Sequence, residues 1–418
     1  MRKLWLALLV GVCATGAFGV ATAEAQLAPT FANGGVLEVQ PPLPASAKNQ
    51  YIRDLDAARD GSGYALFERS RCVSESSCTS AYFLYRYGPT GLLDPAFGGS
   101  EGSRVSDAQD GDVVLDVDAR GRPLVAQSSN TDVTIRRFTA TGASDSSFGA
   151  GGVLTLPCSC GYAGVELVPE PEGTLTVVTQ GAGPASTLIR LLEDGALDRR
   201  FGKGGSLTIA RGDSFGFPAA VFSPGGALYL LGRRCCDRYP SFLIRVSARG
   251  RVDKRFARTT RRSLASLQPP PSYASSITAI LVRPKGKIDL LGYTRRYRGG
   301  FELRLNPNGR LHRRFGKRGL RLLPQPVAAA ALGSGGTTLT VSRVGETFNR
   351  TVGRILASGR IDRSFPRESL PGVWTRNGLS IVPQAEGGAL LVDLGLRFCR
   401  SYCAPEPRLI RILEKSPR

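Results

Sequence analysis

Histidine is nearly absent: His312 is the only one in 418 residues, alongside one methionine and two tryptophans. A multi-histidine metal centre is therefore excluded, and any serine–histidine chemistry would have to pass through His312. Long apolar runs are missing too. After the stretch Leu4 to Val12, no segment reaches the roughly 20 apolar residues that a bilayer-spanning helix needs. Aromatics make up 8%, charged residues 21% and apolar residues 42%, which describes a globular chain and not a disordered one. Acidic groups are scarce, with 34 Asp and Glu against 55 Lys and Arg, a formal net charge of +21. Glycine and proline are plentiful at 51 and 27, which favours short strands and tight turns over a helical bundle. The chain is too long for one compact two-layer core and suits several ordinary domains or one closed ring of repeats.

Arg2 and Lys3 precede the apolar run, and small residues then lead to Ala21-Thr22-Ala23 and Ala23-Glu24-Ala25, either of which suits a signal peptidase. Residues 1–25 read as a cleaved signal peptide and residues 26–418 as an exported, extracytoplasmic chain. An uncleaved anchor is disfavoured because Gly, Thr and Glu24 interrupt the run, and Val12 precedes Cys13 where a lipoprotein would carry a small residue. Eight cysteines then remain, grouped as Cys72/Cys78, Cys158/Cys160, Cys235/Cys236 and Cys399/Cys403. An even, locally paired set in an exported chain reads as disulfides. Zinc is the alternative, but two CxxC knuckles are lacking. No metal and no cofactor are expected.

One phrase recurs along the chain: Arg, Gly five residues later, Asp three after that, and Phe three after the Asp, clearest in LIRLLEDGALDRRFGKGG at 188–205. Its phenylalanines are Phe97, Phe148, Phe201, Phe256, Phe315 and Phe365, each eleven residues after Arg86, Arg137, Arg190, Arg245, Arg304 or Arg354. The chain opens on the second half of the phrase, around Phe31, and closes on the first half, around Arg411. Successive phenylalanines lie 66, 51, 53, 55, 59 and 50 residues apart, which makes seven units. Each unit holds four short apolar or β-branched runs, with a glycine turn between the second and third at Gly63, Gly121, Gly173, Gly226, Gly286, Gly336 or Gly388. Four strands per unit predicts an all-β, seven-bladed β-propeller over 26–418, with four antiparallel strands in each blade. The split phrase at the termini favours a closed ring over an open superhelical array. In the connector, Gly supplies a left-handed turn, Asp accepts backbone N–H groups and Phe buries its ring between blades, while Arg can anchor to the Asp or to carbonyls.

With Gly, Asp and Phe at these fixed offsets, the chain resembles the delta-60 repeat family, whose hallmark is a unit of the form ARYNxDGSLDxxFG followed by a strand and a DGK hairpin. The resemblance covers nearly all of 26–418, although Ala257 and Pro366 replace the Gly after Phe, and His312 and Ala28 replace Asp. It implies an exported, propeller-like repeat protein with no common activity, and looser turns in the units that depart from the pattern.

Charge is unevenly placed. Residues 196–320 carry 27 basic and 6 acidic side chains, a surplus equal to that of the whole chain, while 1–195 are net acidic. This basic sector of neighbouring blades includes Arg199, Arg200, Arg249, Arg251, Arg313, Arg314, Lys317 and Arg318 at the connector edge, and Arg233, Arg234, Arg238, Arg295, Arg296 and Arg298 at the cysteine edge. Such a field attracts polyanions, and Tyr297 among the arginines could stack on a ligand. Export disfavours nucleic acid and points to an anionic envelope polymer, lipid headgroups or another surface protein. The expected function is an exported binding or scaffold protein docking such a component. The alternative is a carbohydrate-active hydrolase or lyase with carboxylates in the loops, whose acids the sequence alone does not bring together. Gly212-Asp213-Ser214-Phe215-Gly216 matches GxSxG outside a strand-to-helix elbow, and Asp107, Asp110 and Asp112 could bind calcium but lack a distal Glu.

Overall fold

The protein is described here from a computed structural model, which covers residues 28, 30–32, 35–41, 49–74, 77–107, 111–158, 164–170, 172–180, 185–210, 215–223, 225–234, 242–266, 277–294, 299–343, 350–365, 369–370, 379–384, 388–393 and 407–412. The expected signal peptide, 1–25, lies outside the described residues. Among those residues no helix is long and apolar enough to cross a membrane.

Seven antiparallel sheets follow one another as the blades of a β-propeller. Blade 1 holds β2 (Asn49–Ala57), β3 (Gly63–Ser74), β4 (Ser77–Tyr87) and β5 (Ser103–Asp107). Blade 2 holds β6 (Val113–Val117), β7 (Pro123–Ser128), β8 (Asp132–Arg137) and β9 (Val153–Pro157). Blade 3 holds β10 (Val165–Pro169), β11 (Leu175–Gln180), β12 (Ala185–Leu191) and β13 (Ser206–Ala210). Blade 4 holds β14 (Phe215–Phe222), β15 (Leu228–Arg234) and β16 (Phe242–Val246). Blade 5 runs from β17 (Ile277–Val282) through β18 (Ile288–Tyr293) and β19 (Gly300–Leu305) to β20 (Leu320–Leu323). Blade 6 runs from β21 (Val327–Leu332) through β22 (Thr338–Arg343) and β23 (Arg350–Ile355) to β24 (Ser369–Leu370). Blade 7 takes β25 (Leu379–Pro383), β26 (Ala389–Asp393) and β27 (Arg408–Ile412) from the C-terminal end and β1 (Val36–Glu38) from the N-terminal end.

The ring is therefore closed, not an open array. β1 pairs with β27, and the seam is extended by Ala28 N–H to Arg411 O at 3.0 Å, Arg411 N–H to Gly35 O at 2.9 Å and Val39 N–H to Pro407 O at 2.9 Å. Closure removes the two free edges that an open stack would expose. The fourth run of each sequence phrase is the third strand of a blade, and the run after Phe is that blade's outer strand. The middle strands β7 and β19 are buried along their whole length because blades cover both of their faces. By contrast, β8, the third strand of blade 2, alternates between buried and half-buried residues, the period of a pleated strand.

Blade 4 departs from the expected four strands. In place of an outer strand, the chain after its connector forms helix α1 (Lys254–Ala265), with Asp253 as N-cap accepting from Phe256 N–H. The cause is local. The residue after Phe is a glycine at positive φ in neighbouring units, as at Gly149 and Gly202, both at φ 57°. At Ala257 that left-handed stop is missing, and Phe256, Thr260 and Leu264 recur at helical spacing as the buried face. The unit is thus not a looser turn but a helix. A smaller correction concerns blade 1, where the positive-φ turn residue is Gly61 and not Gly63. A Cβ at Gly63 would lie 2.2 Å from Leu409 Cδ1, so close packing across the seam explains that glycine.

The core is divided into seven apolar clusters, one at each junction between neighbouring blades. Phe31, Phe97, Phe148, Phe201, Phe256, Phe315 and Phe365 are all at most 4% exposed. Each of the first six rings lies against the connector glycine of the following blade. Cβ atoms added at Gly91, Gly142, Gly195, Gly250, Gly309 and Gly359 would meet Phe31, Phe97, Phe148, Phe201, Phe256 and Phe315 at 3.3 Å or less.

Candidate functional site

Three sets of polar side chains compete for a functional reading. The first is the ring of repeat arginines, which is structural. Arg137 Nε donates to Asp145 at 2.7 Å, Arg86 to Asp94 at 3.0 Å and Arg354 to Asp362 at 2.8 Å, each within its own connector. The far nitrogen of the guanidinium reaches the next blade: Arg190 Nη1 donates to Ala248 O at 2.9 Å, Arg245 to Pro307 O at 2.9 Å and Arg304 to Ala357 O at 3.4 Å. Arg411 does the same across the closure, donating to Pro89 O at 2.8 Å. The guanidinium also caps the repeat ring, lying 4.6 Å from the Phe148 centroid for Arg137 and 4.0 Å from Phe315 for Arg304. One arginine therefore ties strand, connector, aromatic ring and neighbouring blade together.

Blade 5 shows what that arginine requires. His312 stands where the repeat has Asp, and its Nδ1 lies 3.0 Å from Asn306 Oδ1. Burial, reinforced by Lys287, Arg304 and Arg314, holds the His312 pKa below its usual value, so it is ill suited to replace a carboxylate. The anion comes instead from the strands: Asp289 on β18 accepts from Arg304 Nε at 2.7 Å and Nη2 at 3.0 Å, and Glu302 on β19 accepts at 3.1 Å. Arg283 also donates to Asp289, and its other nitrogen donates to Thr338 Oγ1 of blade 6 at 2.6 Å. Asp289 and Glu302 are both fully buried.

The second set sits on the first strands of blades 1 to 3. Asp54 accepts from Leu115 N–H at 2.7 Å and Asp56 from Val117 N–H at 2.9 Å, so β2 hooks onto β6, where Val117 N–H also reaches Asp116 Oδ1 at 2.7 Å. Asp56 and Asp116 share a hydrogen bond between carboxyl groups. Burial, only partly offset by the backbone N–H bonds, pushes Asp54 up to about 7, and burial alone pushes Glu166 on β10 up to about 7. Asp56 and Asp116 are also raised by burial, with mutual repulsion adding to the effect at Asp116. Carboxyls that hold their protons near neutrality are the kind used in general acid catalysis. They also make stability pH-dependent. Each binds its proton more tightly folded than unfolded, so its contribution is complete below its unfolded value near 4 and is lost as pH rises through about 7. Thermal unfolding followed by circular dichroism is expected to give a higher Tm at about pH 5 than at about pH 8. A flat or rising profile over that range would contradict the burial of these groups.

The third set belongs to the basic sector. Its exposed cations include Arg313, Arg314, Lys317 and Arg318 in the blade 5 connector, and Lys254, Arg255, Arg258, Arg261 and Arg262 on α1. Helix and connector adjoin, because Ser263 Oγ donates to Gly309 O at 2.9 Å. On the other side of α1, at the junction of blades 3 and 4, an open cleft of about 800 Å³ is lined by Arg200, Lys203, Arg249 and Arg251 with Ser206 and Thr208. Among the described residues no acidic side chain lines it. Arg233 and Arg234 end β15, opposite Gly216 and Phe215 of β14. Arg238, Arg295, Arg296, Tyr297 and Arg298 lie outside the described residues.

Among the cysteines, Cys72 and Cys78 are directly opposite one another in the β3–β4 register. Cys158 is disulfide-bonded, whereas Cys160, Cys235, Cys236, Cys399 and Cys403 lie outside the described residues. Asp107 pairs with Arg104, Asp112 accepts from backbone N–H groups of Val165 and Val113, and Asp110 is outside the described residues. Among the described residues no group of three or more His, Cys, Asp or Glu side chains is placed to hold a metal ion.

No family model and no curated protein matches the chain. It is similar in chain path to several solved structures. A putative glucose dehydrogenase from Thermus thermophilus is 15% identical with a TM-score of 0.43, over 72% of this chain and 95% of that one. Polysaccharide lyase Uly1 is 10% identical with a TM-score of 0.46, over 93% and 94%. A PQQ-bound aldose sugar dehydrogenase from Streptomyces coelicolor is 13% identical with a TM-score of 0.40, over 72% and 92%. Likeness at this level carries no statement about activity.

Proposed function

We propose that this β-propeller is an exported binding or scaffold protein that docks an anionic component of the cell envelope through its basic sector. The observation that carries this reading is helix α1. It brings Lys254, Arg255, Arg258, Arg261 and Arg262 to the surface without one acidic residue. Lys254 and Arg255 occupy the first turn, where the helix dipole disfavours cations by about 0.3–1 kcal/mol each. Helix stability therefore does not account for them, whereas an anionic partner does. The exposed connector cations beside Gly309 extend the same field, and closely spaced cations raise the rate and affinity of polyanion capture at low salt.

A second reading is favoured by the carboxyls of β2, β6 and β10: hydrolysis or elimination on a carbohydrate, with Asp54 or Glu166 as the general acid and the Asp56–Asp116 pair as the general base. One experiment separates the two. The purified chain from residue 26 onward is co-sedimented with envelope material across a salt series, beside a variant carrying Arg295→Glu, Arg296→Glu, Arg298→Glu, Arg313→Glu and Arg314→Glu, while the supernatant is assayed for newly released sugar ends. Docking predicts binding that falls with salt and is lost in the variant, with no sugar released. Salt-insensitive binding that the variant retains would sink the docking reading, and sugar release abolished by Asp56→Asn would establish the enzymatic one.

A further inference from the structure

Building on the docking reading, we infer that the cleft between blades 3 and 4 is the seat of the ligand, and that the ligand is a linear polysaccharide bearing carboxylates. The cleft lies between β13 and the blade 4 connector, and among the described residues blade 4 has no outer strand. α1 takes that place but leans the other way: Thr260 Oγ1 donates to Leu243 O at 3.0 Å, Ser263 Oγ reaches the blade 5 connector at Gly309 O, and a Cβ at Gly309 would meet Thr260. The outer strand of blade 3, β13, is left with no outer strand opposite it, and the gap opens to solvent. Its walls are the turn around Phe201, bearing Arg200 and Lys203, and the blade 4 connector, bearing Arg249 and Arg251. The two walls are pinned together by Gly202 N–H to Arg249 O at 3.0 Å, so the four cations are held across a fixed gap.

These cations are available. Arg200 Nε lies 3.3 Å from Asp198, yet 85% of the side chain is exposed, and Lys203, Arg249 and Arg251 are exposed as well. Four cations lining one cleft, with no carboxylate among its described lining, make a favourable potential for an anion. The volume, about 800 Å³, lies within the range of about 300–1,000 Å³ of ligand sites. Three of the four cations are guanidinium groups, whose fork fits a planar carboxylate with two hydrogen bonds. Ser206 Oγ donates to Lys203 O at 3.2 Å and keeps its acceptor positions, and Thr208 on the same face of β13 is exposed. Sugar hydroxyls can donate to such oxygens; a polyphosphate chain offers only acceptors.

The test is titration calorimetry with oligogalacturonate, with polyphosphate of equal charge and with phosphatidylglycerol vesicles as separate arms. A cleft variant carries Arg200→Ala, Lys203→Ala, Arg249→Ala and Arg251→Ala. A control variant removes the same charge outside the cleft through Arg313→Ala, Arg314→Ala, Lys317→Ala and Arg318→Ala. All eight side chains are exposed, and circular dichroism checks that both variants fold. The cleft variant is expected to lose oligogalacturonate affinity on the order of 100-fold and the control only about 5-fold. Equal losses would show a diffuse field and overturn the cleft assignment while leaving the docking reading intact. Tighter binding of polyphosphate or vesicles than of oligogalacturonate would overturn the choice of ligand. If the unaltered protein binds none of the three at low salt, the docking reading itself fails.

Discussion

Replacing Asp289 with alanine is expected to destabilise the propeller by about 3–5 kcal/mol, the range for removing one partner of a buried ion network. Asp289 is fully buried, and Arg283 and Arg304, each 6% exposed, both depend on it. Without it Arg304 keeps only Glu302 as an anionic partner, and burial still disfavours the charged form of Glu302 even though the repulsion from Asp289 is gone. His312 cannot substitute, since its pKa is held below the usual value. The contrasting change is Asp94→Ala. Its partner Arg86 is 21% exposed and water can take up the lost bond, so a loss of about 1 kcal/mol or less is expected. Urea denaturation of the two variants measures the difference. Equal effects would mean that the blade 5 network is no more than a surface pair.

The second large effect concerns closure. Phe31→Ala is expected to cost about 3–5 kcal/mol, as a buried phenylalanine does elsewhere, because the ring is 1% exposed and packs with Tyr85, Leu390 and Leu409 at the junction of blades 7 and 1. Beginning the chain after Gln40 removes this ring together with β1 and the three backbone bonds of the seam. The loss should then exceed that of Phe31→Ala. β27 would also become an edge strand with open N–H and C=O groups, so concentration-dependent self-association should appear in light scattering. A truncated chain that stays monomeric and unfolds at the unaltered denaturant concentration would show that the blades do not need the seam.

Much of the ring was legible because its signal is repeated. The phrase from Arg to Phe recurs at fixed offsets, so each position is constrained by the same junction seven times over, and the split copies at the termini announced β1 joining β27. The helix of blade 4 was missed although its signals were present. Asp253 and Phe256 stand three residues apart, a spacing that serves a turn in the other connectors and an N-cap here. The exchange of glycine for Ala257 does not decide the outcome alone, since Ala32 after Phe31 still takes a φ of 43°; the helix also needs the buried face of Phe256, Thr260 and Leu264. The strand acids were missed for a different reason. Asp54, Asp56, Asp116 and Glu166 interrupt apolar runs and come from separate blades, so no local pattern joins them.

Sequence alone determined the architecture, the number of blades and the place where the ring closes, since these follow from backbone periodicity, turn glycines and repeat spacing within each unit. It also placed the positive charge in one sector, because charge is counted residue by residue. Tertiary structure decided which charges face one another. It gave Arg304 the partners Asp289 and Glu302, drew the acids of blades 1 and 2 together, and set Arg200 and Lys203 across a cleft from Arg249 and Arg251. Such meetings depend on side-chain direction and on the angle between blades, which are fixed only when the seven sheets pack against one another.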